Sequence, residues 1–134
     1  MKDLDVFLSN SAEKLALPTE NVEMKRLSKS YNQTIEFELR AVSYSQYKDI
    51  QEKGVKKNAK NPTDVDYNEI QTWLVLNGVV WPNFADKQLQ EKLGAATKKD
   101  CMEKMLLPGE VAMLAEKIIE LSGFNEDKIE QAKN

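Results

Sequence analysis

The 134-residue sequence contains no histidine and only one cysteine, Cys101. Without histidine the chain cannot form the constellations in which an imidazole activates a serine or cysteine nucleophile, nor a zinc site with histidine ligands. A single cysteine can form neither an intramolecular disulfide nor an all-cysteine zinc site. Cys101 lies in a helical pattern, where a small buried apolar side chain is the usual role, so we do not expect a catalytic thiolate.

Glycine is also scarce, with five residues that each fall at the end of an expected helix or strand. Neither of the common glycine-rich phosphate-binding motifs is present. Glu36, Glu38 and Asp49 offer carboxylates for acid–base chemistry, but alternating glutamates on a strand are typical of an exposed face. We therefore expect no enzymatic activity, no cofactor and no bound metal.

Long apolar runs are missing as well. No stretch approaches the roughly 18 apolar residues that a membrane helix needs. The first residues, "MKDLDVFLSN", are acidic where a signal peptide is basic. These features predict a cytoplasmic protein that does not bind membranes.

Excess positive charge is absent, since the net charge is −3 and the pI about 5.1. Nucleic-acid-binding domains usually carry a basic excess. The one basic cluster is a loop containing Lys53, Lys56, Lys57 and Lys60, and no aromatic side chains alternate with these lysines for base stacking. A small nucleic-acid-binding regulator that uses this loop remains an alternative, but we expect no nucleic-acid partner.

The clearest strand pattern is "TIEFELRAV", in which Ile35, Phe37 and Leu39 point to one face and glutamates to the other. The preceding "VEMKRL" also alternates, and "SKSYNQ" between them is rich in turn-forming residues. We predict an antiparallel β-hairpin over about residues 22–42, with one face in water and the other covered by helices.

The rest of the chain has helical periodicity with well-marked ends. Ser43 with Gln46 and Asp66 with Glu69 have capping-box spacing, and "LPGE" followed by an apolar stripe and "SGF" marks a long helix near the end. After a short helix within 3–15, we predict helices at about 44–53, 67–77, 86–93, 98–106, 109–122 and 126–133. The fold class is α+β, a mostly helical single domain spanning residues 1–134 with an N-terminal hairpin packed on the helices.

Methionines cluster around the junction before the last long helix, in "CMEKMLLPGEVAML". Flexible thioether side chains adapt to varied apolar partners, although filling gaps in a core is their commoner role. On this pattern we predict a partner-binding surface at the following residues: Met102, Met105, Leu106, Leu107 and Met113.

Five short motifs, taken in order along nearly the whole chain, resemble the XkdN-like family of phage tail assembly chaperones. In this sequence the motifs are Phe7-Leu8, Leu39-Arg40, Trp81-Pro82-Asn83-Phe84, Leu107-Pro108-Gly109-Glu110 and Gly123-Phe124. They are residues that determine a fold, so the resemblance assigns no binding residue.

The resemblance implies a non-enzymatic assembly factor of a long-tailed phage or prophage, acting in the bacterial host cytoplasm and absent from the mature virion. Its implied partner is the tape measure protein, kept soluble until tail tube protein polymerises around it; tail tube protein is a second candidate partner. Similar chaperones are often made in two lengths by frameshifting, and a chain ending at Asn134 would be the shorter one. A structural tail or head–tail joining protein of the same phage module is the alternative.

Overall fold

The computed structural model describes residues 2–55 and 65–124. Within these residues it contains seven α-helices and a three-stranded antiparallel sheet, the α+β and mostly helical fold that the sequence predicted. In chain order the elements are α1 (Asp5–Leu8), a 3₁₀ turn (Ala12–Leu15), β1 (Thr19–Glu23), α2 (Lys25–Tyr31), β2 (Glu36–Arg40), α3 (Tyr44–Lys53), α4 (Tyr67–Gly78), β3 (Val79–Trp81), α5 (Lys87–Leu93), α6 (Lys98–Met105) and α7 (Pro108–Leu121).

The sheet has the order β1-β2-β3, with Val22 opposite Phe37 in the β1–β2 ladder. The first two strands are antiparallel, as the sequence predicted. They do not form the hairpin that was predicted over residues 22–42. Strand β1 begins at Thr19, and helix α2 connects the strands where a turn was expected. Met24 and Leu27 lie three residues apart and are both buried, so a single helical turn places both in the core.

Strand β3 was not predicted as a strand. It has only three residues, follows α4 without a loop, and is succeeded by Pro82, so it offers too short a pattern to recognise. It pairs with β2 across an irregularity between Glu38 and Leu39. The third strand gives the sheet the extra pairing that two strands alone would lack.

The core lies between one face of the sheet and the helices, and α7 packs along α4 and against β2. Its fully buried members include Phe37, Leu39, Val75, Leu114 and Ile118. A Cβ placed on Gly78 would lie 2.5 Å from the side chain of Ile118, so the close approach of α4 to α7 requires glycine there.

Most of the predicted helices agree with the structure to within about two residues, and their caps explain why. Ser43 and Gln46 form the complete capping box of α3, and the Asp66 side chain accepts a hydrogen bond from the Glu69 N–H at the start of α4. Gly54, which follows α3, has φ of −80°, a conformation open to any residue. The position requires glycine because the Ile70 side chain packs against it and leaves no room for a Cβ. The helix predicted at 126–133 lies outside the described residues.

The expected helix within 3–15 is only partly formed, as the four-residue α1 and the 3₁₀ turn. Every residue from Lys2 to Ala16 is exposed, including the apolar side chains of Phe7 and Leu8. Among the described helices, none has the length and hydropathy to cross a bilayer.

Candidate protein-binding surface on helix α7

The first turn of α7 is tied to α2 through Glu110. Its carboxylate accepts hydrogen bonds from the Leu107 backbone N–H at 2.8 Å and from Arg26 Nη2 at 2.7 Å and Nε at 3.0 Å. Arg26 Nη2 also donates to the Met105 carbonyl oxygen at 2.8 Å. Pro108 occupies the first helical position, where its missing N–H has little cost. One arginine therefore holds the end of α6 and the start of α7 together.

The same contacts shift the ionisation of Glu110. Hydrogen bonding to Arg26 lowers the pKa of this carboxyl below its ordinary value, assisted by the Leu107 N–H and the positive charge of Arg26, while burial opposes the shift. The partner carboxylate correspondingly raises the pKa of the Arg26 guanidinium. The pair is a charge-assisted bidentate contact, the strongest common type of side-chain hydrogen bonding.

The last turn of α7 ends in a Schellman motif, at the Ser-Gly-Phe sequence that marks the end of the helix. Gly123 has φ of 101°, its N–H donates to Glu120, and the Phe124 N–H donates to the Ile119 carbonyl oxygen at 3.2 Å. The Phe124 ring lies 5.0 Å from the Tyr47 ring of α3, measured between centroids.

Ser122 adds a link between this end of α7 and the sheet. Its hydroxyl oxygen accepts a hydrogen bond from the Val42 N–H at 3.0 Å and its hydroxyl donates to the Ile118 carbonyl oxygen. Both ends of α7 are therefore fixed to other parts of the fold, so the face it presents to solvent is held rigid.

Two open grooves run along the exposed side of α7. The first, of about 570 Å³, lies between α7 and the strand β1 with the start of α2. It is lined by Glu20, Asn21, Val22, Glu23, Met24, Lys25, Arg26, Glu110, Met113 and Lys117. The second, of about 580 Å³, lies between α7 and α4. It is lined by Gln71, Leu74, Gly109, Ala112, Met113, Ala115, Glu116 and Ile119.

Met113 borders both grooves and is the ridge between them. The neighbouring Gly109 and Ala112 are small, so the second groove stays open along the helix. A flexible thioether between two open grooves can adjust to differently shaped apolar partners. This arrangement is suited to binding a protein segment.

The five predicted partner-binding residues differ in their exposure to solvent. Met102 and Leu106 are 1% and 6% exposed, members of the core, and offer no surface to a partner. Met105 is half-buried, whereas Leu107 is 52% exposed and Met113 lines both grooves. Met102 lies on the side of α6 that packs inward, and Leu106 is buried at the C-terminal end of the same helix.

Sequence reasoning missed the outer face of α7 as part of the site. Gly109, Ala112 and Glu116 recur at helical spacing opposite the apolar stripe, a face that can be read from the periodicity. The contribution of β1 and Met24 had no such signal, because it depends on how the sheet packs beside α7. That packing is not encoded in any local pattern.

The next residues are those that the sequence raised as candidates for catalysis, metal binding or nucleic-acid binding. Cys101 is fully buried, and its burial raises the pKa of the thiol, which disfavours the reactive thiolate. No cluster of metal-binding side chains occurs within 2–55 and 65–124. Lys53 lies 4.4 Å over the Trp73 ring, and the other three lysines of the basic loop fall outside the described residues.

A family model described as "Phage XkdN-like tail assembly chaperone protein, TAC" matches residues 4–133. A crystal structure of the protein YqbN is similar, with a TM-score of 0.64 and 21% identity over 93% of this chain and 99% of that chain. At this identity the likeness supports the fold alone. A search among curated proteins found no match.

Proposed function

The chain belongs to the XkdN-like family of phage tail assembly chaperones, and on this premise we propose that it binds the tape measure protein. Bound chaperone would keep the tape measure protein soluble until tail tube protein polymerises around it. The proposed mechanism is binding alone, without catalysis or a cofactor.

The observation that carries this proposal is the pair of open grooves on either side of Met113. An amphipathic helix commonly binds by laying its apolar stripe into a groove of this kind. The first groove presents Val22 and Met113 among charged and polar side chains, and the second is lined largely by apolar residues, including Leu74, Ala112 and Ile119. A long helical protein with exposed apolar stripes is therefore a suitable ligand for this face.

The openness of the grooves fits a complex that must later come apart. Tube subunits have to displace the chaperone, so an enclosed, very tight site would hinder assembly. Affinity depends on a few well-buried contacts more than on contact area. Met113 and the exposed Leu107, which begins the same helix, are the two predicted residues positioned to make such contacts, and tail tube protein is a second candidate partner for the same face.

Co-expression tests the proposal directly. The tape measure protein should be more soluble with the chaperone and should co-purify with it, and both effects should weaken with Met113→Glu, because a charge would enter both grooves. The matched control is Tyr67→Glu, which replaces an exposed residue at the start of α4 outside both grooves. Unchanged solubility and no co-purification with the unaltered chaperone would reject the proposal.

We place the protein in the host cytoplasm during tail assembly and outside the finished particle. The alternative function, a structural tail or head–tail joining protein, requires the chain to remain in the particle. Mass spectrometry of purified tails separates the two: the chaperone function predicts that its peptides are absent, and stoichiometric recovery would support the structural role.

A further inference from the structure

The N-terminal segment, residues 3–15, is an apolar surface that the chain itself leaves uncovered. Its large apolar side chains are 43–75% exposed. They are Leu4, Val6, Phe7, Leu8 and Leu15. All of the described hydrogen bonds of residues 3–16 stay within the segment, and none of these residues belongs to the hydrophobic core. We propose that this segment docks into the groove between β1 and α7 of a second copy, giving a reciprocal dimer.

The exposed apolar area is of the size that a dimer interface needs. A large side chain presents on the order of 200 Å², so five at these exposures leave roughly 600 Å² uncovered. That total is at the upper end of the range for the largest apolar patch of an ordinary monomer, about 300–600 Å². Two segments docked reciprocally would bury roughly 1,200 Å², and the grooves they cover would add a comparable area. A stable interface buries about 1,200–2,000 Å² in total.

The charges on the two surfaces are complementary in part. The segment is acidic, with Asp3, Asp5 and Glu13 against the single lysine Lys14. At the groove, Lys25 and Lys117 make no ion pair with any described carboxylate, while Glu110 is already paired with Arg26. Glu20 and Glu23, which also line the groove, offset this charge in part, so the apolar contacts supply most of the affinity and the lysines orient the segment.

The chain connectivity permits exchange between two copies. Only residues 16–18 separate the segment from β1, and β1 lines the groove. When two copies are related by a two-fold axis, each segment that reaches the partner's groove leaves its own groove open to the partner's segment. Both contacts then form together, as in other isologous dimers. The dimer would fill the first groove and leave the second open to the assembly partner, so the inference does not depend on the identity of that partner.

Sedimentation equilibrium of the full chain over a range of concentrations tests for the dimer. We expect a monomer–dimer equilibrium that Phe7→Ser with Leu8→Ser weakens by more than about tenfold, since both copies lose two buried contacts. Serine at two exposed aromatic residues outside the segment, Tyr44→Ser with Tyr67→Ser, should leave the dimerisation equilibrium unchanged. Because all four positions are exposed, the variants should fold, which circular dichroism checks.

A mixed-label NMR experiment identifies the contact. An unlabelled copy carries a nitroxide at Ala12→Cys, an exposed segment position that is not one of the large apolar side chains, in a Cys101→Ala background, and an unaltered copy carries nitrogen-15. We expect broadening of the Met113 and Val22 amides in the second copy. A monomer at all concentrations, a dimer unaffected by the segment variant, or broadening that appears only when one copy carries both labels would overturn the proposal. The last result would show that the segment folds onto its own chain.

Discussion

Helix α7 and the N-terminal segment both carry runs of large apolar side chains, yet one is built into the core and the other lies in water. Leu114 of α7 is fully buried, whereas Leu8 is 73% exposed. The helix has a proline-led start, a Schellman end and side-chain ties at both ends, while α1 begins without a side-chain cap and spans one turn. Apolar content alone therefore did not determine burial; the length of the periodic stripe and its fixed ends did.

A pair of matched side-chain truncations should give the largest effect that follows from this contrast. Leu114→Ala should lower the free energy of unfolding by about 2–5 kcal/mol, because it removes a buried side chain and leaves a cavity. Leu8→Ala should change it by less than about 0.5 kcal/mol, since the residue makes no core contact. Urea unfolding followed by circular dichroism, at a concentration where the chain is monomeric, measures both. Equal losses of unfolding free energy in the two variants would contradict the contrast between α7 and the N-terminal segment.

The same contrast explains which elements could be predicted from the sequence. Helices α3 to α7 were predictable because their caps are local: Ser43, Asp66 and Pro108 act within one turn. Helix α2 and strand β3 were missed because each is short and is stabilised by tertiary contacts. In the candidate site, Met113 was found from composition alone, whereas the groove beside it depends on where β1 packs.

Removing the tie between α2 and α7 should have the next largest effect. Arg26→Met should lower the free energy of unfolding by about 1–3 kcal/mol, because the Glu110 carboxylate, largely shielded from water, loses its ionic partner. Glu110→Gln should cost less, since its amide oxygen can still accept from the Leu107 N–H. A double-mutant cycle with both changes measures the coupling, and coupling near zero would show that the contact contributes nothing.

The end of α7 offers a matched pair of glycines. Gly123→Ala should destabilise by about 1 kcal/mol, because φ of 101° strains any residue with a Cβ. Gly109→Ala should be neutral or slightly stabilising, since nothing lies within 4 Å of the added Cβ and the position is helical. Thermal unfolding of both variants makes the comparison. Equal shifts in Tm would show that the Schellman geometry is not required.

The smallest effect is the pH dependence that Glu110 contributes. Its pKa is lower in the folded chain than the ordinary value of 4.5, so its stabilisation is fully present above that pH. The stabilisation is lost as the pH falls through the folded pKa, because the unfolded state then binds more protons. Stability measured between neutral pH and below 4.5 should therefore fall less for Glu110→Gln than for the unaltered chain. Identical slopes would contradict the shift.

A methyl NMR titration tests whether a partner helix binds along α7 at Met113. With carbon-13 methyl-labelled methionine, a peptide from the tape measure protein is added and the methyl resonances are followed. We expect the Met113 methyl resonance to shift strongly, with a saturable dependence on peptide concentration, while the resonance of the buried Met102 methyl moves little. Saturable binding that leaves Met113 unshifted would contradict it.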